Sequence, residues 1–111
     1  DDIFEFHEVS EMAAFKGGDA AMYKFIGENL TYPPMAFENE IEGKVNIQFV
    51  VMPDGSIKDV EILGSRKIGW GCEEAAIAVI KKMSGMWNPA KQRDKKVPVR
   101  FRMPIKFEIS G

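Results

Sequence analysis

From Val97 to Ile109 the chain alternates without a break. Val97, Val99, Phe101, Met103, Ile105, Phe107 and Ile109 hold the odd positions, and Pro98, Arg100, Arg102, Pro104, Lys106 and Glu108 the even ones. Side chains of a strand point to opposite faces in turn, so this pattern predicts one long strand over 97–109, apolar on one face and charged on the other. Wound into a helix, the same residues would surround the cylinder and bury no continuous stripe. Proline has no N–H to give a ladder, so Pro98 and Pro104 assign the strand to the edge of its sheet. An open edge carries unpaired backbone groups on which a further strand can grow. On the pattern alone, the favoured account is an edge protected by proline and positive charge.

The earlier segments show both periods. Val45, Ile47, Phe49 and Val51 alternate with Lys44, Asn46 and Gln48, and Pro53-Asp54-Gly55-Ser56 is a tight-turn sequence. The return strand runs from Ile57 to about Leu63. Ile57 is out of phase with Val60, so a bulge or register change is expected near Lys58. Met22, Phe25, Ile26 and Leu30 fall on one helical face, which predicts a helix over 19–30 capped by Asp19 and ended by Tyr32-Pro33-Pro34. Pro34 can open a short turn of helix through Met35, Ala36 and Phe37. Cys72, Ala76, Val79, Ile80 and Met83 predict a second helix over 72–83, with Glu73 and Glu74 at its start, Lys81 and Lys82 at its end and Gly85 beyond. Ser65 to Gly71 reads as a loop, Met86 to Ala90 as an apolar segment that packs Trp87, and Lys91 to Lys96 as a basic turn. Ile3 to Val9 is a strand or an extended arm.

The order helix, hairpin, helix, strand implies an α+β fold in two layers. A small, mainly antiparallel sheet is built from a hairpin (44–63) and the long C-terminal strand (97–109), with two helices (19–30 and 72–83) on one face. With 111 residues, 45% hydrophobic and 29% charged, residues 1–111 form a single domain, and 1–18 serve as its arm or lead-in. No apolar run reaches the length of about 18 residues that a spanning helix needs. The chain begins Asp1-Asp2 without a methionine, as expected of a piece of a longer protein.

Charge is unevenly spread. Ten acidic residues precede Lys44 against Lys16 and Lys24, whereas Lys91 to Lys106 holds seven basic residues against Asp94 alone. The basic stretch lacks outward aromatics on which bases could stack, so nucleic acid is not the expected partner; a solvated face comes first and docking to an acidic partner second. His7 is the only histidine and Cys72 the only cysteine. Neither has a companion in sequence for a metal shell or a nucleophile–base pair, and neighbouring Glu73 and Glu74 point in different directions on a helix. Catalytic, metal-binding and cofactor-binding residues are therefore none, and an enzyme is not expected.

The residues do resemble a family. Tyr32-Pro33, Ile41-Glu42-Gly43-Lys44-Val45, Phe49-Val50-Val51, Asp54-Gly55-Ser56-Ile57, Asp59-Val60, Glu74-Ala75, Trp87-Asn88-Pro89-Ala90-Lys91-Gln92 and Pro104-Ile105-Lys106-Phe107 occur in the order seen in the C-terminal domain of TonB-type energy transducers. Glu11-Met12 and Phe15-Lys16-Gly17-Gly18 look like the lead-in of one branch. Each fragment is weak alone, but the ordered set covers nearly the whole chain. The chain departs from that branch at Ala13 and Lys16, where prolines are usual, at Asp94, where glycine is usual, and in the Ser65–Gly71 loop with Trp70.

The resemblance implies a periplasmic domain of a Gram-negative envelope protein anchored in the inner membrane. A proton-driven motor complex there would act on the missing N-terminal region. The domain's partners would be the N-terminal segments of TonB-dependent outer-membrane receptors, gripped by strand addition. The open-edge reading of the last strand then moves ahead of the protected-edge one. Val97, Val99, Arg100, Phe101, Arg102 and Met103 become the expected partner-binding residues, with Pro104 marking where the pairing must end or bend. Proline at Val99 or Phe101 would be expected to abolish binding and Arg100→Ala only to weaken it. A similar domain attached to an envelope sensor or peptidase-like protein is the alternative, distinguishable by the upstream sequence.

Overall fold

In the computed structural model, residues 2–109 are described. The acidic N-terminal stretch is an arm with a 3-10 turn at Phe6–Glu8, leading to a short strand β1 (Ala14–Phe15) and helix α1 (Asp19–Asn29). Gly18, at φ +90°, stands at the N-cap of α1 in place of the expected Asp19, which is already helical and offers its charge to the first turn instead. Met22 and Ile26 are buried on the predicted stripe, with Phe25 and Leu30 at its margin. Helix α2 (Pro34–Glu38) starts on the proline that the sequence marks. The Tyr32 hydroxyl donates to the Ile41 carbonyl, and its ring meets Phe37 and Phe107 edge-on. Burial above all, then the Glu42 carboxylate, pushes the Tyr32 phenol up from its ordinary pKa.

Strands β2 (Gly43–Val51) and β3 (Ile57–Ile62) form the predicted hairpin. Gln48 faces Glu61 but Val50 faces Lys58, so Asp59 and Val60 together oppose Phe49. This is the bulge that the phase slip at Ile57 announces, with Asp59 at φ +54°. In the turn, Gly55 N–H donates to Met52 O at 2.8 Å, and the Asp54 carboxylate accepts from Ser56 Oγ at 2.6 Å and Ser56 N at 2.9 Å. Those bonds, the hydroxyl's first, hold the Asp54 carboxyl below its usual pKa. Their support is complete above the ordinary carboxylate pKa and is lost as pH falls through the lowered value. Gly55 sits at φ +86°, and a Cβ there would lie 2.5 Å from the Trp87 carbonyl oxygen. Gly55→Ala is expected to lower stability by about 2–4 kcal/mol, read as an earlier urea midpoint with an unchanged slope.

Helix α3 (Cys72–Lys82) follows the Ser65–Gly71 loop. The chain then makes β4 (Trp87–Asn88), paired with β1, and a hairpin of β5 (Ala90–Gln92) with β6 (Lys95–Val97). Arg93 and Asp94 turn that hairpin with φ of +52° and +65°. The last strand, β7, covers Val99–Phe107, so the single strand expected over 97–109 is corrected at both ends. Val97 belongs to the hairpin, facing Ala90, and Pro98 separates it from β7. Ile109 lies beyond the strand, its N–H donating to Glu42 Oε2 at 2.7 Å.

The main sheet has the order β3-β2-β7, all antiparallel. Its inner face presents Val45, Ile47, Phe49 and Val51 from β2 and Val99, Met103, Ile105 and Phe107 from β7. These join Met22 and Ile26 of α1 and Cys72, Ala76, Val79, Ile80 and Met83 of α3 in one core. The fold is the expected α+β arrangement, with both long helices feeding the same cluster. Trp87 is at its centre, its ring 4.9 Å from Phe101, 5.6 Å from Phe49 and 5.7 Å from Phe15.

Candidate functional site

Strand β7 has one neighbour in the sheet, β2, so its far side is an edge. Two hydrogen bonds fix which backbone groups face that edge. Leu63 N–H donates to Asn46 O, which turns Asn46 toward β3 and away from its opposite residue on β7, Pro104. Arg100 N–H donates outward to Phe4 O at 3.0 Å. Backbone groups alternate in direction along an antiparallel strand, so Val99, Phe101, Met103, Ile105 and Phe107 bond to β2 while Arg100, Arg102, Pro104 and Lys106 face outward. Pro104 thus lacks a donor only on the open side, and the ladder to β2 runs past it intact.

The outward row is partly filled. Phe4 lies parallel to β7 opposite Val99, with Phe4 N–H donating to Pro98 O at 2.9 Å. Beside it, Glu5 Oε2 accepts from Arg100 Nη1 at 2.8 Å. Beyond this rung, the Arg102 N–H, the Lys106 N–H and the carbonyls between them have no strand alongside among the described residues. Next to that free stretch is a groove of about 330 Å³ lined by Tyr23, Ile26, Gly27 and Leu30 of α1 and by Pro104, Ile105 and Lys106. On the outer face, Arg102 Nε donates to Gln48 Oε1 at 2.7 Å, and Gln48 Nε2 to Glu61 Oε1 at 2.6 Å, a polar row across all three strands.

The expected partner-binding residues therefore divide. Val97 lies outside β7, in a different hairpin. Val99, Phe101 and Met103 turn their side chains inward, with Val99 and Met103 buried, and their N–H groups toward β2. Arg100 and Arg102 are the two that present backbone to the edge. Sequence reasoning set the end or a bend of the partner's pairing at Pro104, whereas the strand and its outer edge run on to Phe107. It also missed Phe4 and Glu5, because a single bridge leaves no periodic trace.

Other reactive side chains have structural surroundings. Cys72 is fully buried; burial first, then the Glu73 and Glu74 carboxylates, raise its thiol pKa and keep it neutral. Glu73 accepts from Ile68 N at 2.6 Å and Gly69 N at 3.0 Å, pinning the loop to the start of α3. Trp70, at φ +59° in that loop, is half exposed. His7 is exposed in the 3-10 turn against the ring of Phe6.

A family profile described as Gram-negative bacterial TonB protein C-terminal matches residues 28–109. The chain belongs to the TonB C-terminal domain family. Two solution structures of the Helicobacter pylori TonB C-terminal domain are similar to it. One, of residues 179–285, is 24% identical with a TM-score of 0.61, covering 81% of this chain and 78% of that one. The other, of residues 194–285, is 25% identical with the same TM-score, covering 80% and 90%. No curated protein matches the chain. A TonB C-terminal domain is a non-enzymatic protein-interaction domain of transport systems, periplasmic in its family. Among the described residues, no helix is long and apolar enough to cross a membrane.

Proposed function

We propose that this domain is the receptor-binding end of an energy transducer. It grips the N-terminal segment of an outer-membrane receptor by adding that segment as a strand to the outer edge of β7. In this reading an upstream anchor holds the protein in the inner membrane, a proton-driven motor complex acts there, and the gripped receptor segment receives the force for uptake. The observation that carries the reading is the row Arg102–Lys106, a stretch of unpaired strand edge on a domain of the TonB family. Main-chain pairing accepts many sequences, which suits one transducer serving several receptors. Alternate side chains of the added strand would enter the groove between α1 and β7, where the exposed ring of Tyr23 forms one wall.

The test is an amide NMR titration with N-terminal segments of outer-membrane receptors from the same genome. The Arg102 and Lys106 amides are expected to become slow to exchange, whereas those of Phe101, Met103 and Ile105 already bond to β2 and change less. Saturable shifts confined to another surface would move the site, and no response from an intact fold would remove the reading.

A further inference from the structure

The arm is seated where an added strand would go. Its path is fixed in two places of unequal strength. Near its C-terminal end, Ser10 and Glu11 N–H both donate to Lys91 O, Lys91 N–H returns a bond to Glu11 O at 2.8 Å, and β1 follows directly. At the other end, Phe4 has two backbone bonds, to Pro98 and Arg100, and a partly buried ring against the core, and Glu5 has its ion pair with Arg100. Between them the 3-10 turn is closed by the Glu5 N–H donating to Glu8 Oε1 at 2.7 Å, and Phe6 is exposed. The outer end holds by fewer hydrogen bonds than the inner one, so it is the end that opens first.

Electrostatics indicate what else could occupy that place. The arm carries Asp2, Glu5 and Glu8; the edge and the neighbouring hairpin carry Arg100, Arg102, Lys91, Arg93, Lys95 and Lys96. Arg100 is about one-third exposed, and its guanidinium meets a carboxylate supplied by the strand lying beside it. A strand that replaces Phe4 opposite Val99 leaves Arg100 unpaired unless it brings a carboxylate of its own.

We propose that Phe4–Glu5 is a resident occupant of the β7 edge. The Val99–Arg100 rung is then a subsite for an extended acidic segment, which a partner reaches by displacing the arm. The identity of that partner rests on the transducer reading; the occupancy of the rung does not. The displaced arm stays tethered at Lys91 and returns when the partner leaves, so the edge is covered at this end whenever it is idle.

Hydrogen exchange on the intact chain tests this first. The Arg100 and Arg102 amides share one side of one strand, and Arg100 is expected to exchange about tenfold or more slowly, two backbone bonds being released on opening. In the double variant Phe4→Pro, Glu5→Lys that difference should fall to about twofold or less. The Ile47 and Phe49 ladder amides, which report the fold, should keep their protection. Equal exchange at Arg100 and Arg102 in the intact chain would overturn the proposal. A peptide of sequence Asp2–Glu8 added to the double variant should restore protection at Arg100. The same peptide with glutamine for Glu5 should need about threefold more, as for a partly exposed ion pair. Failure of the first peptide overturns the subsite, and equal potency of the two overturns its acidic preference. These readings need no receptor. A receptor segment that failed to bind would count against the transducer reading alone, whereas one that bound both proteins equally tightly would overturn displacement.

Discussion

Trp87→Ala will lower the stability of this domain by about 3–5 kcal/mol, the range for truncating a large buried aromatic. Domains of this size are stable by about 5–15 kcal/mol, so the loss amounts to at least about a fifth of the total. Trp87 is 1% exposed and lies against Phe15, Phe49 and Phe101, so its removal opens a cavity touching β1, β2 and β7 together. Little around that cavity can collapse, because the facing rings belong to paired strands. Trp87→Phe is the informative companion. It keeps an aromatic ring in place and removes a buried indole N–H that has no acceptor among the described residues, so it should cost less than half as much as alanine. Urea unfolding followed by circular dichroism reads both. Equal losses from the two variants would mean that the aromatic contacts contribute little.

The second large effect is on binding. Arg102→Pro should weaken binding of a receptor segment about tenfold or more, by removing an outward backbone donor and setting a ring against the incoming strand. Stability should move by about 1 kcal/mol or less, because the lost N–H is not part of the ladder to β2, as Pro104 already demonstrates two residues on. Arg102→Ala, which keeps the N–H and loses only the bond to Gln48, should bind within about threefold of the parent. Isothermal titration with one segment compares all three. A proline variant that binds as well as the alanine one would exclude main-chain pairing at Arg102. Proline at Val99 or Phe101, the substitutions that the strand pattern first suggests, would not test this. Their N–H groups bond to β2 and Phe101 packs on Trp87, so those variants act on folding.

That difference marks how far the sequence could be read. Alternation from Val97 to Phe107 tells which side chains point inward, because burial selects them. It says nothing about which backbone groups point sideways, since every residue but proline carries the same N–H and C=O. The phase of the ladder became visible only through Arg100 bonding to Phe4 and Asn46 bonding to Leu63. The tight hairpin and its bulge were legible because glycine in the turn and the slip at Ile57 leave local marks. The β5–β6 hairpin looks like a plain turn in the sequence, since its strands are short and its positive φ values fall on Arg93 and Asp94 rather than on glycine. The break at Pro98 was hidden by an alternation that continues across it.

The bulge on β3 has a further bearing on how copies of the domain meet. Along that strand the ladder is interrupted at Asp59 and Val60, Lys58, Asp59 and Glu61 carry charge, and the Ile57 N–H is taken by Ser84 Oγ. Such an edge is a poor template for pairing, so the sheet can be extended on the β7 side alone. A sheet with one adhesive edge has a valence of one. Two copies joined through it would face each other about a twofold axis with no edge of that sheet left to recruit a third, so association by this route stops at a pair and does not propagate into a fibre.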